Sequence, residues 1–95
     1  MTLENPIEKT EIKDEEQISI SEPYKVFLFN DDNHSFDEVI IQLIKAVKCS
    51  FEKARDYTFE AHVKGKAMVF QGKLSECLKV TTILEEIELH TQIVS

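Results

Sequence analysis

The run Tyr24-Lys-Val-Phe-Leu-Phe-Asn-Asp-Asp32 constrains this chain more than any other stretch. Its start alternates as a strand requires, with Tyr24, Val26 and Leu28 on one face and Lys25, Phe27 and Phe29 on the other. Phe27 and Phe29 make the second face apolar as well, which predicts a central or covered strand. Three short polar side chains follow at once. Ser35 with Glu38 three residues on is then a capping box that opens an apolar run. Amides and carboxylates bunched where a strand hands over to a helix can end the strand, bind a cation, or do both.

The remaining elements follow closely. Val39, Ile40, Leu43, Ile44 and Val47 recur at helical spacing and predict a first helix from about Phe36 to about Lys48. Ser50 caps a second helix with Glu52 in its first turn, and Gly65 ends it. The inner face of that helix is expected to hold Phe51, Ala54, Tyr57 or Thr58, and Ala61. Lys66 to Phe70 reads as a second strand closed by a turn at Gln71-Gly72. A third helix from about Leu74 to about Glu86 would bury Leu74, Cys77 or Leu78, Thr81 and Leu84, with Thr81 and Thr82 weakening it locally. Leu89 to Val94 forms a closing strand. The order β-α-α-β-α-β predicts an α+β sandwich, a three-stranded antiparallel sheet with three helices on one face.

Composition narrows the class. Ninety-five residues with 42% hydrophobic content allow one small globular domain. No apolar run approaches the length that crosses a bilayer. The start lacks a basic-then-apolar signal pattern, so the cytoplasm is the expected compartment. A net charge of −7 argues against nucleic acid, whose phosphates call for a basic stripe. Much of that charge sits in residues 1–22, which carry Glu4, Glu8, Glu11, Asp14, Glu15, Glu16 and Glu22 against Lys9 and Lys13. With sparse, aperiodic apolar residues, 1–22 is expected to be a disordered acidic arm, and 23–95 the folded domain. Cys49 and Cys77 stand alone in apolar patterns without metal spacing, so buried free thiols are expected, with no metal and no cofactor.

Asp31, Asp32 and His62 are the candidate proton-transfer groups. No serine or cysteine stands in a nucleophile context, and no glycine-rich phosphate loop or EF-hand spacing occurs. Enzymatic chemistry is therefore not expected. His62, close to the end of the second helix, can simply meet the helix dipole, and Asn30 and Asp31 can be turn residues. If Asn30, Asp31 and His62 converge, they supply acceptors for an ammonium group beside an apolar pocket, which suits a peptide N-terminus.

Tyr-Lys-Val-x-Leu-x-Asn-Asp-Asp, then Phe36-Asp37-Glu38-Val39-Ile40, Ala61-His62-x-x-Gly65-Lys66 and Glu76-Cys77-Leu78-Lys79 together resemble the ClpS adaptor family. The likeness spans residues 23–95. It implies an adaptor of the bacterial N-end rule pathway, which binds proteins beginning with Leu, Phe, Tyr or Trp. Such an adaptor delivers them to the N-terminal domain of a ClpA- or ClpC-type AAA+ unfoldase working with ClpP, and performs no chemistry itself. On this resemblance Asn30, Asp31 and His62 match positions that hydrogen-bond the substrate's α-amino group. Phe36, Val39, Ile41, Thr58, Ala61 and Leu89 match the side-chain pocket, and Lys79 a basic residue of the unfoldase-docking face. A monomer is expected.

Two departures stand out. His34-Ser35-Phe36 replaces the Thr-Pro-Met or Asn-Thr-Phe of many members, adding a second titratable group. Thr58 falls where many carry a methionine that screens out β-branched first residues. Two rival classes remain: a protein-docking module of similar fold, like the ribosomal-stalk C-terminal domain, and an enzyme using Asp31 and His62. A docking module has no need for the three acceptors to converge.

Overall fold

The computed structural model describes residues 23–95, so the expected acidic arm of residues 1–22 lies outside the described residues. Strand β1 (Tyr24–Phe29) is followed by helices α1 (Phe36–Val47) and α2 (Phe51–Lys64), strand β2 (Lys66–Gly72), helix α3 (Leu74–Leu84) with a 3-10 turn at Glu85–Ile87, and strand β3 (Thr91–Val94). The sheet order is β2-β1-β3, antiparallel throughout, with the three helices on one face. The doubly apolar β1 is thus the central strand, as its pattern predicts. Val26 and Leu28 point into the core, while Lys66 Nζ lies 4.9 Å from the ring centre of Phe27.

Local chemistry explains the helix starts. Ser35 Oγ accepts the Glu38 N–H at 3.2 Å and the Glu38 carboxylate accepts the Ser35 N–H at 2.8 Å, completing the capping box. Ser50 Oγ accepts the Lys53 N–H at 3.1 Å at the head of α2. The strip that α2 buries is Ala54, Thr58 and Ala61, whose small side chains let the helix lie close to its neighbours. That strip begins one turn in, so Phe51, expected inside, stands 54% exposed at the helix start.

Helix α3 departs further from the sequence reading. Leu74 and Leu78 are exposed, whereas Cys77, Val80, Thr81 and Leu84 are buried. A 100° advance per residue makes Leu78 and Cys77 alternatives for the inner face, and the smaller thiol takes it. The hydroxyls of Thr81 and Thr82 both donate to the Leu78 carbonyl, at 3.0 and 2.7 Å. Such back-bonding loosens a helix, and α3 tightens into its 3-10 turn after Leu84. Strand β2 runs two residues past its expected end at Phe70, through the expected turn, because Gly72 still pairs with Tyr24. A Cβ at Gly72 would lie 2.7 Å from Glu76 Oε1, so a larger residue there would have to move the Glu76 carboxylate that accepts the Lys73 N–H. Strand β3 starts at Thr91, while Leu89 is buried just ahead of it.

Gln42, which the apolar periodicity passes over, fastens α1 to the end of α3. Its buried side chain donates to the Ile83 carbonyl at 2.6 Å and to Glu86 Oε1 at 3.1 Å, where Lys45 Nζ also donates at 2.9 Å. The contacts with Lys45 and then Gln42 hold the Glu86 carboxyl below its usual range. This stabilisation is present above the ordinary glutamate range and is lost as pH falls through the lowered value. Gln42→Ala would strand the Ile83 carbonyl, and is expected to cost about 1–3 kcal/mol in guanidinium denaturation.

Candidate functional site

Two neighbouring backbone amides at the end of β1 build the site. Phe29 donates to the His90 carbonyl at 3.0 Å, and Asn30 donates to the Gly65 carbonyl at 2.9 Å. The first bond draws in the segment bearing Leu89, and the second draws in the last turn of α2, bearing Ala61 and His62. Gly65 caps α2 in the left-handed region (φ 94°), with its N–H on the Ala61 carbonyl. Chain reversal there lets β2 start immediately beside β1.

Between these pieces lies a hollow of about 280 Å³, including its open mouth. Val39, Thr58, Ala61 and Leu89 supply its buried wall, with Leu28 beneath. Asn30, Asp31, His34, Phe36 and His62 surround it on the more exposed side. The enclosed part is only about 20 Å³ and the rest is open to solvent, so the hollow is a shallow recess rather than a cofactor cavity. The expected residues Asn30, Asp31, His62, Phe36, Val39, Thr58, Ala61 and Leu89 therefore come together. Ile41 does not: two residues on from Val39, it is turned roughly 200° around α1 and is 64% exposed. Lys79 is exposed on α3, outside the lining of the hollow.

The sequence reading missed Leu28, Phe29 and His34 as lining residues. Leu28 was legible as inward-facing from its strand parity. The direction of His34 depends on the loop. There Asp31 Oδ1 accepts the Asn33 N–H at 2.6 Å, a turn closed by a side chain, and His34 Nδ1 is brought to 2.9 Å from the same oxygen. That Nδ1 is shielded from solvent, but the oxygen lies off the ring N–H direction, so the contact is one of charge rather than a well-aligned hydrogen bond.

The electrostatics follow from this contact. Burial pushes the Asp31 carboxyl up, but the contacts with His34 and Asn33 outweigh it and hold the group below its usual range. The Asp31 contact raises the His34 pKa against opposing desolvation, with help from the charges of Asp31 and Glu38 and from the Ile87 backbone. Asn30 Nδ2 donates to Asp32 Oδ1 at 3.3 Å, which leaves the Asn30 amide oxygen as the free acceptor end. The Phe36 ring meets His62 edge-to-face at 5.4 Å.

The hydroxyls nearest the hollow already serve local hydrogen bonds. The Thr58 hydroxyl is committed to the Ala54 carbonyl at 2.8 Å and that of Ser35 to the helix cap. Cys49 and Cys77 are free thiols outside the hollow, and burial pushes both up. Among the described residues no group of three or more His, Cys, Asp or Glu side chains is arranged to hold a metal ion.

Comparison with known proteins places this geometry. The family described as "ATP-dependent Clp protease adaptor protein ClpS" matches residues 19–92. The chain belongs to the ClpS family. Proteins of this family are described as adaptors of an ATP-dependent Clp protease. A solved structure, Agrobacterium tumefaciens ClpS2 bound to L-phenylalaninamide, shares the fold with a TM-score of 0.72 at 22% identity, covering 77% of this chain and 95% of that one. The human E3 ubiquitin-protein ligase UBR1 is 34% identical over 89 residues, and the Drosophila melanogaster UBR1 is 34% identical over 73. These matches cover 93% and 76% of this chain but only 5% and 4% of the ligases, so the ClpS-like chain spans a small fraction of those relatives. Among the described residues no helix is long and apolar enough to cross a membrane.

Gly65 tests how the ClpS site is assembled. A Cβ there would meet nothing within 4 Å, so a substitution acts through the backbone alone. Gly65→Ala is expected to destabilise the domain by about 1–2 kcal/mol in urea unfolding, and Gly65→Asn by less, since asparagine tolerates the left-handed region.

Proposed function

We propose that the hollow is the N-degron site, with Asn30, Asp31 and His62 taking the substrate's α-ammonium and Phe36, Val39, Thr58, Ala61 and Leu89 its first side chain. The observation that carries this reading is the convergence of the three polar groups on one apolar hollow. An α-ammonium brings a positive charge and three donors. The Asn30 amide oxygen, the Asp31 carboxylate and a neutral His62 ring nitrogen are acceptors suited to it. Burying a leucine or phenylalanine side chain contributes roughly 1.5–3 kcal/mol. Neither half alone overcomes the entropy of association, so selectivity comes from requiring both.

The site favours Leu, Phe, Tyr and Trp as first residues, and Thr58, shorter than a methionine, leaves room for Ile and Val at lower affinity. ClpS2, which has this fold, is described as bound to L-phenylalaninamide, a free amine carrying an aromatic side chain. Delivery uses a second surface. On α3 the exposed Leu74 and Leu78 add apolar area near Lys79, and this face docks on the N-terminal domain of a ClpA- or ClpC-type unfoldase. The adaptor acts as a monomer in the cytoplasm through its binding domain 23–95.

Fluorescence anisotropy with short peptides tests the reading. Peptides starting with Phe or Leu are expected to bind, and acetyl-Phe to bind more weakly by about 1–3 kcal/mol, roughly 5- to 150-fold, because acetylation removes the charge and strands the acceptors. His62→Ala is expected to weaken the Phe peptide to a similar degree. Equal binding of free and acetylated peptides would remove the assignment.

A further inference from the structure

His34 lies in the same hollow as the proposed amine-binding groups and touches one of them, yet that reading gives it no task. Its Nδ1 is 2.9 Å from the Asp31 oxygen, and its ring borders both the hollow and the open depression on the other side of the loop. We propose that His34 is a proton-operated competitor at the N-degron site: when protonated it takes up the charge of Asp31 that the substrate's α-ammonium needs, and when neutral it leaves that charge to the substrate. This rests on Asp31 serving the α-ammonium.

The contact geometry supports the competition. The Asp31 oxygen lies off the direction of the ring N–H, so a neutral imidazole gains little there, whereas an imidazolium gains from charge at any angle. The surroundings favour the charged form. Asp31 and Asp32 face the ring region from the loop, Glu38 from α1, and Glu88 from the segment before β3, against His62 across the hollow and His90 across the depression. The raised His34 pKa agrees in direction, because it brings the ring's titration closer to neutral pH.

A bound α-ammonium would bring a second positive charge to the same carboxylate. Two cations sharing one anion repel each other, so substrate binding expels the His34 proton, and the proton expels the substrate. Linkage makes the two effects equal. The sign follows directly: a proton bound more tightly without substrate means affinity that is highest above the His34 titration and falls as pH drops through it. Asp31 stays ionised across that window, since its own pKa lies below the carboxylate range.

The test uses the full chain and a Phe-initiated fluorescent peptide, with anisotropy read from pH 8.5 to pH 5.5 for the wild type and His34→Gln. Glutamine keeps a donor but cannot take up a proton. Whatever the substitution does to affinity at pH 8.5, between pH 8.5 and pH 5.5 the wild type is expected to lose roughly tenfold more affinity than the variant, the effect of coupling worth about one pKa unit. Whatever His62 contributes is common to both. NMR of the His34 ring in the wild type gives the reciprocal reading: saturating phenylalaninamide should move its titration midpoint to lower pH. Should His34→Gln fail to fold, this midpoint alone decides. Parallel pH curves, or a midpoint that stays put with ligand bound, overturn the competition. Absence of wild-type binding throughout this pH range overturns the amine site itself, and this role with it.

Discussion

The structure depends on two consecutive amides at the end of β1. Because β1 is central, its two flanks can each receive one of them: Phe29 N–H goes to His90 beside β3, and Asn30 N–H goes to Gly65 beside β2. Each bond carries with it a side chain that lines the hollow. Leu89 immediately precedes His90, and His62 lies one helical turn ahead of Gly65. A strand at the sheet edge could hold only one of these partners. The hollow is thus a consequence of strand order, and the left-handed cap at Gly65 is the local feature that lets α2 stop where β1 can reach it.

The loop after β1 has a different economy of interactions. One oxygen of Asp31 serves the turn through Asn33 and meets His34 as well. Asn30 turns its amino group to Asp32, which fixes the amide oxygen as its free end. A cluster that looks redundant in the sequence therefore divides its work. Asp32 orients Asn30, Asn33 orients Asp31, and the oriented groups face the hollow. Such holding contacts reduce the ordering cost that a ligand would otherwise meet.

Much of this was legible in the sequence where local rules govern. The alternation of β1, the Ser35–Glu38 capping box and the helix stop at Gly65 depend on neighbours within four residues, and each occurs as read. The failures lie where tertiary packing chooses among similar candidates. On α3 the inner face took Cys77 over Leu78 and added Val80, leaving two leucines outside. Hydrophobicity could not predict that choice, because it ranks leucine above cysteine. Gln42 escaped notice because a polar residue among apolar ones reads as surface, until a helix end from elsewhere offers its carbonyl. Within the site, the membership of the hollow followed the family motifs except at Ile41, whose helical phase alone argued against it. The direction of the His34 ring was beyond reach, since it follows from a side-chain-closed turn rather than from spacing.

The wall of the hollow is made of core residues, and this links stability to recognition. Val39, Ala61, Leu28 and Leu89 belong to the same buried cluster that holds the helices to the sheet. The space persists because α2 presents alanine and threonine there, where larger side chains would close it. Filling such a space usually adds stability, since an unfilled hollow forfeits dispersion contacts along its lining. On the proposed reading a first residue that enters would supply those missing contacts, so the apolar part of recognition would complete a core left short at this point. Larger residues at positions 58 and 61 would therefore raise stability and lose recognition together.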